Sequence, residues 1–131
     1  MNFENKLISG QFIKRYKRFF VDIKINGKTV TAHCPNTGSM KGLLKKGNKV
    51  WLSKSNNPNR KLKYTLEIIE DNKVKIGVNT HSSNKIIKKA LQEKKIKEFS
   101  SIANIKPETK FGSNTRFDFF ITNKNDKVFV E

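Results

Sequence analysis

Phe19, Val21, Ile23 and Ile25 alternate with Phe20, Asp22 and Lys24, and Asn26-Gly27 follows at once. A period of two with apolar residues on one side marks a half-buried strand. Asn-Gly is the strongest two-residue hairpin signal, because both positions tolerate positive φ, so residues 28–33 are expected to supply the returning strand. Further β-like runs lie at residues 49–54, 62–69 and 74–78, joined by segments rich in Gly, Asn, Ser and Pro, as turn chemistry requires. Five short strands in about eighty residues fit a small closed barrel, and the five-stranded barrel that binds nucleic acid is the OB-fold.

Charge points the same way. The chain of 131 residues carries 28 Lys+Arg against 11 Asp+Glu, a formal charge of +17, so polyanions are natural partners and small neutral substrates are not. Lys outnumbers Arg 24 to 4 and Asn occurs 15 times, a pattern that codon bias in an AT-rich genome also produces. Such bias would spread the excess evenly, yet residues 1–66 hold 15 basic and 2 acidic residues, against 13 and 9 in residues 67–131. The first half is where a polyanion is expected to sit. Hydrophobic residues make up 35% of the chain, ten Phe among them, enough for a folded core rather than a basic tail.

The lone cysteine, Cys34, has no partner for an internal disulfide, and no apolar run approaches the ~18–20 residues of a membrane span. The N-terminus lacks the features of a signal peptide. A cytoplasmic protein with no membrane partner is expected.

Periodicity changes between Val78 and Asn84. Asn84 is placed to cap a helix whose stripe is Ile86, Ile87, Ala90 and Leu91, with Glu93 four residues before Lys97 and an end near Phe99. A loop is expected around Lys106-Pro107-Glu108, then a strand at residues 116–121, a turn at Asn123-Lys124-Asn125-Asp126, and a partner strand at residues 127–131. The expected organisation is α+β, with a basic barrel at residues 1–80 and a helix plus hairpin at 81–131. A final strand with no cap, turn or polar tail exposes an apolar edge, and two strands close no core of their own, which leads us to expect a truncated chain.

A four-residue turn at 123–126 puts Asp118 opposite Glu131. Directly paired carboxylates are destabilising unless neutralised, and a Mg²⁺ ion with hard oxygen ligands would do so; a two-residue turn would instead shift the register and separate them. The segment His33-Cys34-Pro35-Asn36-Thr37-Gly38-Ser39-Met40 lacks the four ligands of a zinc site, and adjacent Cys and His on a strand point to opposite faces. It reads either as a tight turn aiming backbone N–H groups at an anion or as a turn with Cys34 simply buried. Lys14-Arg15-Tyr16-Lys17-Arg18-Phe19-Phe20 and Arg60-Lys61-Leu62-Lys63-Tyr64 mix cations with rings, the combination of single-stranded nucleic-acid grooves. A solvated strand edge with its rings in the core gives the same pattern.

These segments, with Val50-Trp51, Asn59-Arg60-Lys61-Leu62, Val78-Asn79-Thr80, Asn84 and Arg116-Phe117-Asp118-Phe119, resemble the sugar fermentation stimulation protein family of bacteria and archaea over the whole chain. The resemblance implies an N-terminal OB-fold-like β-barrel followed by the start of a PD-(D/E)xK nuclease-like α/β domain. It also implies a DNA-binding protein linked to sugar (maltose) metabolism. DNA, duplex or single-stranded, is then the expected partner, ahead of RNA, with Lys14, Arg15, Lys17, Arg18, Arg60 and Lys61 on the phosphate backbone and no cofactor required for binding. By the same resemblance Asp118 and Glu131 match the Asp and Glu of the nuclease motif and Glu108 an acidic position ahead of the hairpin, together the candidate catalytic, Mg²⁺-holding residues. The motif's Lys, two places past Glu131, and roughly the family's last hundred residues lie outside the chain, which places an active nuclease only in the full-length protein.

Overall fold

The longest strand, β1 (Ile8–Tyr16), has no alternation to announce it. Only Phe12 is buried; the inward positions on either side of it carry Gly10 and Arg15, and a bulge between Phe12 and Lys14 breaks the period. In the computed structural model, which describes residues 2–131, β1 pairs antiparallel with both β2 (Phe20–Ile25) and β4 (Lys49–Lys54). β2 also pairs with β3 (Lys28–His33) through the expected Asn26-Gly27 turn, both residues at positive φ. β4 pairs with β5 (Tyr64–Asp71), and a parallel contact of His33 with Thr65 joins β3 to β5. The circuit β1-β2-β3-β5-β4 is therefore closed.

The expected barrel of five strands is present, but its membership differs. Residues 74–78 form β6 (Val74–Gly77), a hairpin arm on β5 outside the circuit, and β1 takes the vacant place. Phe12, Val21, Ile23, Val50, Leu52, Leu66 and Ile69 fill the barrel, with Cys34 and Met40 at its side. Phe19, expected on the inward face of β2, lies instead in the β1–β2 turn and is 42% exposed. The buried Glu67 carboxylate accepts hydrogen bonds from Ser53 Oγ (2.7 Å) and Asn79 Nδ2 (2.9 Å).

The chain folds as two compact units, Asn2–His81 and Ser82–Glu131. Helix α1 (Thr80–Gln92) starts earlier than its apolar pattern suggests, because Asn79 rather than Asn84 caps it: Asn79 Oδ1 accepts the His81 N–H at 3.0 Å. It also stops earlier. Lys94 adopts φ 54, its N–H bonds to Leu91 O and that of Lys95 to Ala90 O, the two bonds of a Schellman ending. Glu93 pairs with Lys95 (2.6 Å) and Lys89 (3.5 Å) rather than Lys97, which begins a short 3-10 turn, Lys97–Phe99. Of the expected stripe, Leu91 is buried while Ile86 and Ile87 are exposed.

Residues 106–108, expected as loop, belong to β7 (Asn104–Phe111), an edge strand where Pro107 leaves no ladder donor wanting. β8 (Thr115–Thr122) lies between β7 and β9 (Lys127–Val130). Asn123 Oδ1 accepts the N–H groups of Asn125 and Asp126, fixing the four-residue turn and the register Thr122↔Lys127 to Phe119↔Val130. Leu91, Phe119 and Ile121 form the core here, with Ile96, Phe99, Ile102 and Val128 against them.

Candidate nucleic-acid interface

Three loops converge at the end of the barrel marked by His33. The β1–β2 turn carries Lys17 (φ 46) and Arg18 (φ 61), both exposed. Its Phe19 ring stacks on the His33 imidazole, centroids 6.3 Å apart and planes 21° from parallel. The loop between β4 and β5 brings in Arg60, whose Nη2 donates to Thr65 Oγ1 at 2.8 Å, and Thr65 is the partner of His33. Burial holds the His33 imidazole below its ordinary pKa, and the charges of Arg60 and then His81 push the same way. Nothing local announces that His81 acts on His33; the hydrogen bonds from Thr80 to Pro35 O bring the two segments together.

The third loop is the segment 33–40. Arg15 reaches it as a fork: Nη1 donates to Gly38 O (2.8 Å), Nη2 to Asn36 O (2.5 Å) and Nε to Arg18 O (2.6 Å). Asn36 Nδ2 donates to Val78 O, its Oδ1 accepts the Gly38 N–H, and the Asn36 N–H bonds to Cys34 O. Pro35 O accepts from both the N–H and the hydroxyl of Thr80. The loop is thus organised around a cation the chain supplies, with carbonyls turned to Arg15 and two N–H groups used internally, while Thr37 and Ser39 stay exposed. Cys34 is fully buried with Sγ 3.7 Å from Met40 Sδ, and burial pushes its thiol pKa up despite Arg15.

Of the expected backbone contacts, Lys17, Arg18 and Lys61 are exposed, Arg60 is half-buried, and Arg15 is engaged with three carbonyls. Lys14 lies 3.9 Å from Asp22 and 5.5 Å from the Tyr16 ring, which itself stacks on Phe20 at 5.5 Å and 16°. Rings lie flat beside cations on this surface.

In the second unit, the pairs Pro107↔Phe119 and Thr109↔Phe117 place Glu108 of β7 across from Asp118 of β8, and the β8–β9 register places Glu131 one step past the last pair on the other side. Asp118 Oδ1 accepts from Asn84 Nδ2 at 3.0 Å, the job Asn84 performs in place of capping, and Glu108 Oε2 lies 3.4 Å from Arg116 Nη1. A cleft of about 180 Å³ is lined by Asn84, Lys85, Lys88, Glu108 and Asp118. Among the described residues no group of three His, Cys, Asp or Glu is gathered to hold a metal ion. The pair Glu108 and Asp118 nevertheless matches the one or two carboxylates that Mg²⁺ takes from protein.

A closed barrel of order 1-2-3-5-4, with basic loops between strands 1 and 2 and strands 4 and 5, defines an OB-fold. The family model described as the SfsA N-terminal OB domain matches residues 13–78, and that of the sugar fermentation stimulation protein RE domain matches residues 81–131. The chain belongs to the sugar fermentation stimulation protein family. It is 55% identical over 131 residues to the sugar fermentation stimulation protein homolog of Pelagibacter ubique, covering 100% of this chain and 56% of that protein. The homolog of Alteromonas mediterranea is 50% identical over 129 residues, 95% of this chain and 54% of that one. The solved structure of Pyrococcus furiosus SfsA in complex with Ca²⁺ superimposes with a TM-score of 0.86 at 24% identity, over 100% of this chain and 55% of that one. The chain spans about half the length of the curated relatives it matches. Among the described residues no helix is long and apolar enough to cross a membrane.

Proposed function

We propose that the barrel binds DNA by its phosphate backbone, through Lys14, Lys17, Arg18, Arg60 and Lys61, with Arg15 shaping the loop beside them. The observation that carries this reading is the convergence of the β1–β2 and β4–β5 loops, both basic, on one mouth with the Phe19–His33 stack between them. These are the loops by which OB-folds hold oligonucleotides. Phosphate contacts position a ligand without reading its sequence, so binding is steeply salt-dependent and weakly sequence-selective. In the whole protein it would serve the control of sugar metabolism for which the family is named.

Fluorescence anisotropy of duplex DNA, single-stranded DNA and matched RNA over a salt series, with and without Mg²⁺, tests the proposal. Each duplex phosphate contact contributes ~0.9 to the slope of log K against log salt, so the Lys17→Ala, Arg18→Ala, Arg60→Ala variant should lose about 2 to 3 from that slope. An unchanged slope removes the assignment, and preference for RNA would reassign the partner.

A second reading, a metal-dependent nuclease in the full-length protein, is favoured by Glu108 and Asp118 lining one cleft, with Glu131 one step past the last β8–β9 pair, and by the Ca²⁺ complex of the Pyrococcus relative. Asp118, with Glu108 beside it on the cleft, would hold the cation, which when bound would activate water and neutralise charge at the phosphate. Calorimetric Mg²⁺ binding and DNA cleavage, both abolished by Asp118→Ala in a protein of the relatives' full length, are the expected results. Cleavage that survives Asp118→Ala excludes this centre.

A further inference from the structure

A second surface of the barrel, away from the His33 mouth, carries its own combination of cations and a ring. Pairing runs Lys24 (β2) to Gln11 (β1) to Lys49 (β4), and Glu70 (β5) to Lys75 (β6); the pair Val50↔Ile69 makes Lys49 and Glu70 neighbours. Because directly paired residues share a face, Lys24, Gln11, Lys49, Glu70 and Lys75 form one row across five strands. Strands lie ~4.8 Å apart, so the row is about 19 Å long. It holds three cations against one carboxylate.

The adjacent row reads Ser9, Trp51, Ile68, Gly77. Trp51 is half-buried, with Lys49 Nζ 5.1 Å and Lys75 Nζ 4.9 Å from its ring, and Gly77 leaves the far end of the row without a side chain. Beside Lys24 and Lys49 the surface sinks into a cavity of about 330 Å³, lined also by Ser9, Gly10, Gln11 and Gly47. Gly10 accepts no side chain, since a Cβ there would stand 2.6 Å from Ile23 Cγ2 and 2.9 Å from Lys24 O. The ammonium groups are thus drawn towards an indole beside a hollow lined by two lysines.

We propose that this face is a second binding surface, for single-stranded nucleic acid, on which Trp51 stacks an unpaired base while Lys24, Lys49 and Lys75 meet the flanking phosphates. Charge complementarity selects a polyanion, and the flat ring selects one with exposed base faces, which a duplex withholds. Along β1, Ser9 beside Trp51 is seven residues from Tyr16 at the mouth, about 23 Å at ~3.3 Å per residue. The two surfaces share no residue, so neither reading depends on the other.

Trp51 is the only tryptophan in the chain, so emission excited beyond the absorption of Tyr16 and Tyr64 reports this face alone. The full chain is titrated with unlabelled oligothymidine of about twelve nucleotides, within the ~4–16 nucleotides an OB-fold occupies, and with a duplex of equal length, while labelled oligonucleotides follow overall binding by anisotropy. Expected are saturable quenching by the single strand alone, its persistence in the Lys17→Ala, Arg18→Ala, Arg60→Ala variant, and about tenfold weaker quenching-monitored binding in Lys49→Ala, Lys75→Ala. Both lysines are exposed, so this variant keeps the core intact. Binding by anisotropy with unchanged Trp51 emission overturns this proposal and leaves the mouth standing. Equal quenching by duplex overturns the stacking role, and no binding by either readout overturns both readings.

Discussion

Arg15 shows how one side chain can look like a ligand contact and act as a structural fastener. Three of its five N–H groups are committed to carbonyls of Arg18, Asn36 and Gly38. Hydrogen bonds from a charged donor contribute ~1.5–3 kcal/mol each, without full additivity, so Arg15→Ala should cost about 2–4 kcal/mol in urea unfolding. Arg15→Lys should recover little, because an ammonium cannot span three acceptors in a fork. Wild-type stability in both variants would return Arg15 to the pool of free phosphate contacts. His33 gives a pH signature. Its folded pKa lies below the unfolded value of ~6.5, so the unfolded chain takes up more protons as pH falls through that value. Its contribution is therefore whole above about pH 7, is lost as pH drops through ~6.5, and levels off below the folded pKa. The urea midpoint should fall over that window in the wild type and fall less in His33→Gln; parallel curves would show that His33 is not the titrating group. Cys34, buried and with its thiol pKa raised, should react with a thiol reagent only as the chain unfolds, and fast labelling of native protein would contradict the packing around Met40.

At the scale of elements, β1 decides whether the barrel closes, and at Gly10 it leaves no room for a side chain against β2. Gly10→Ala drives a methyl group against Lys24 O, a backbone atom with nowhere to go. Overpacking of this kind costs ~1–3 kcal/mol, so its melting temperature should drop by several degrees; an unchanged value would mean that the strands can separate locally at no cost. The same strand shows why local pattern misplaces the fifth member of the barrel. Gly10 and Arg15 stand at positions that an alternating pattern needs to be apolar, and the bulge after Phe12 shifts the phase. Residues 74–77 alternate well but only extend β5. Helix α1 repeats the point: the apolar pattern begins at Ile86, yet a helix starts where its first N–H groups are satisfied, at Asn79. β7 was illegible for a comparable reason, since Lys106-Pro107-Glu108 carries loop composition and becomes a strand only by pairing with β8.

For the whole molecule, +17 on 131 residues is a standing repulsion. Screening shortens its reach to ~8 Å at physiological ionic strength, so thermal stability should rise as salt is raised from about 0.05 to 0.3 M, the opposite of its effect on polyanion binding. A melting temperature that falls with salt would mean that favourable pairs such as Lys45–Asp71 at 2.8 Å outweigh the repulsion. Local signals in the chain suffice for the Asn26-Gly27 hairpin, the four-residue turn held by Asn123 and hence the β8–β9 register, the β-rich first half and the basic charge that favours polyanions. Folding in three dimensions was needed to settle which strands close the barrel, that Arg15 clamps a loop more than twenty residues away, that the charges of Arg60 and His81 act on His33, that Asn84 serves Asp118, and that Trp51 sits among lysines from two strands. Periodicity and turn chemistry act over a few residues of chain, whereas these contacts exist only once non-local pairing has brought distant segments together.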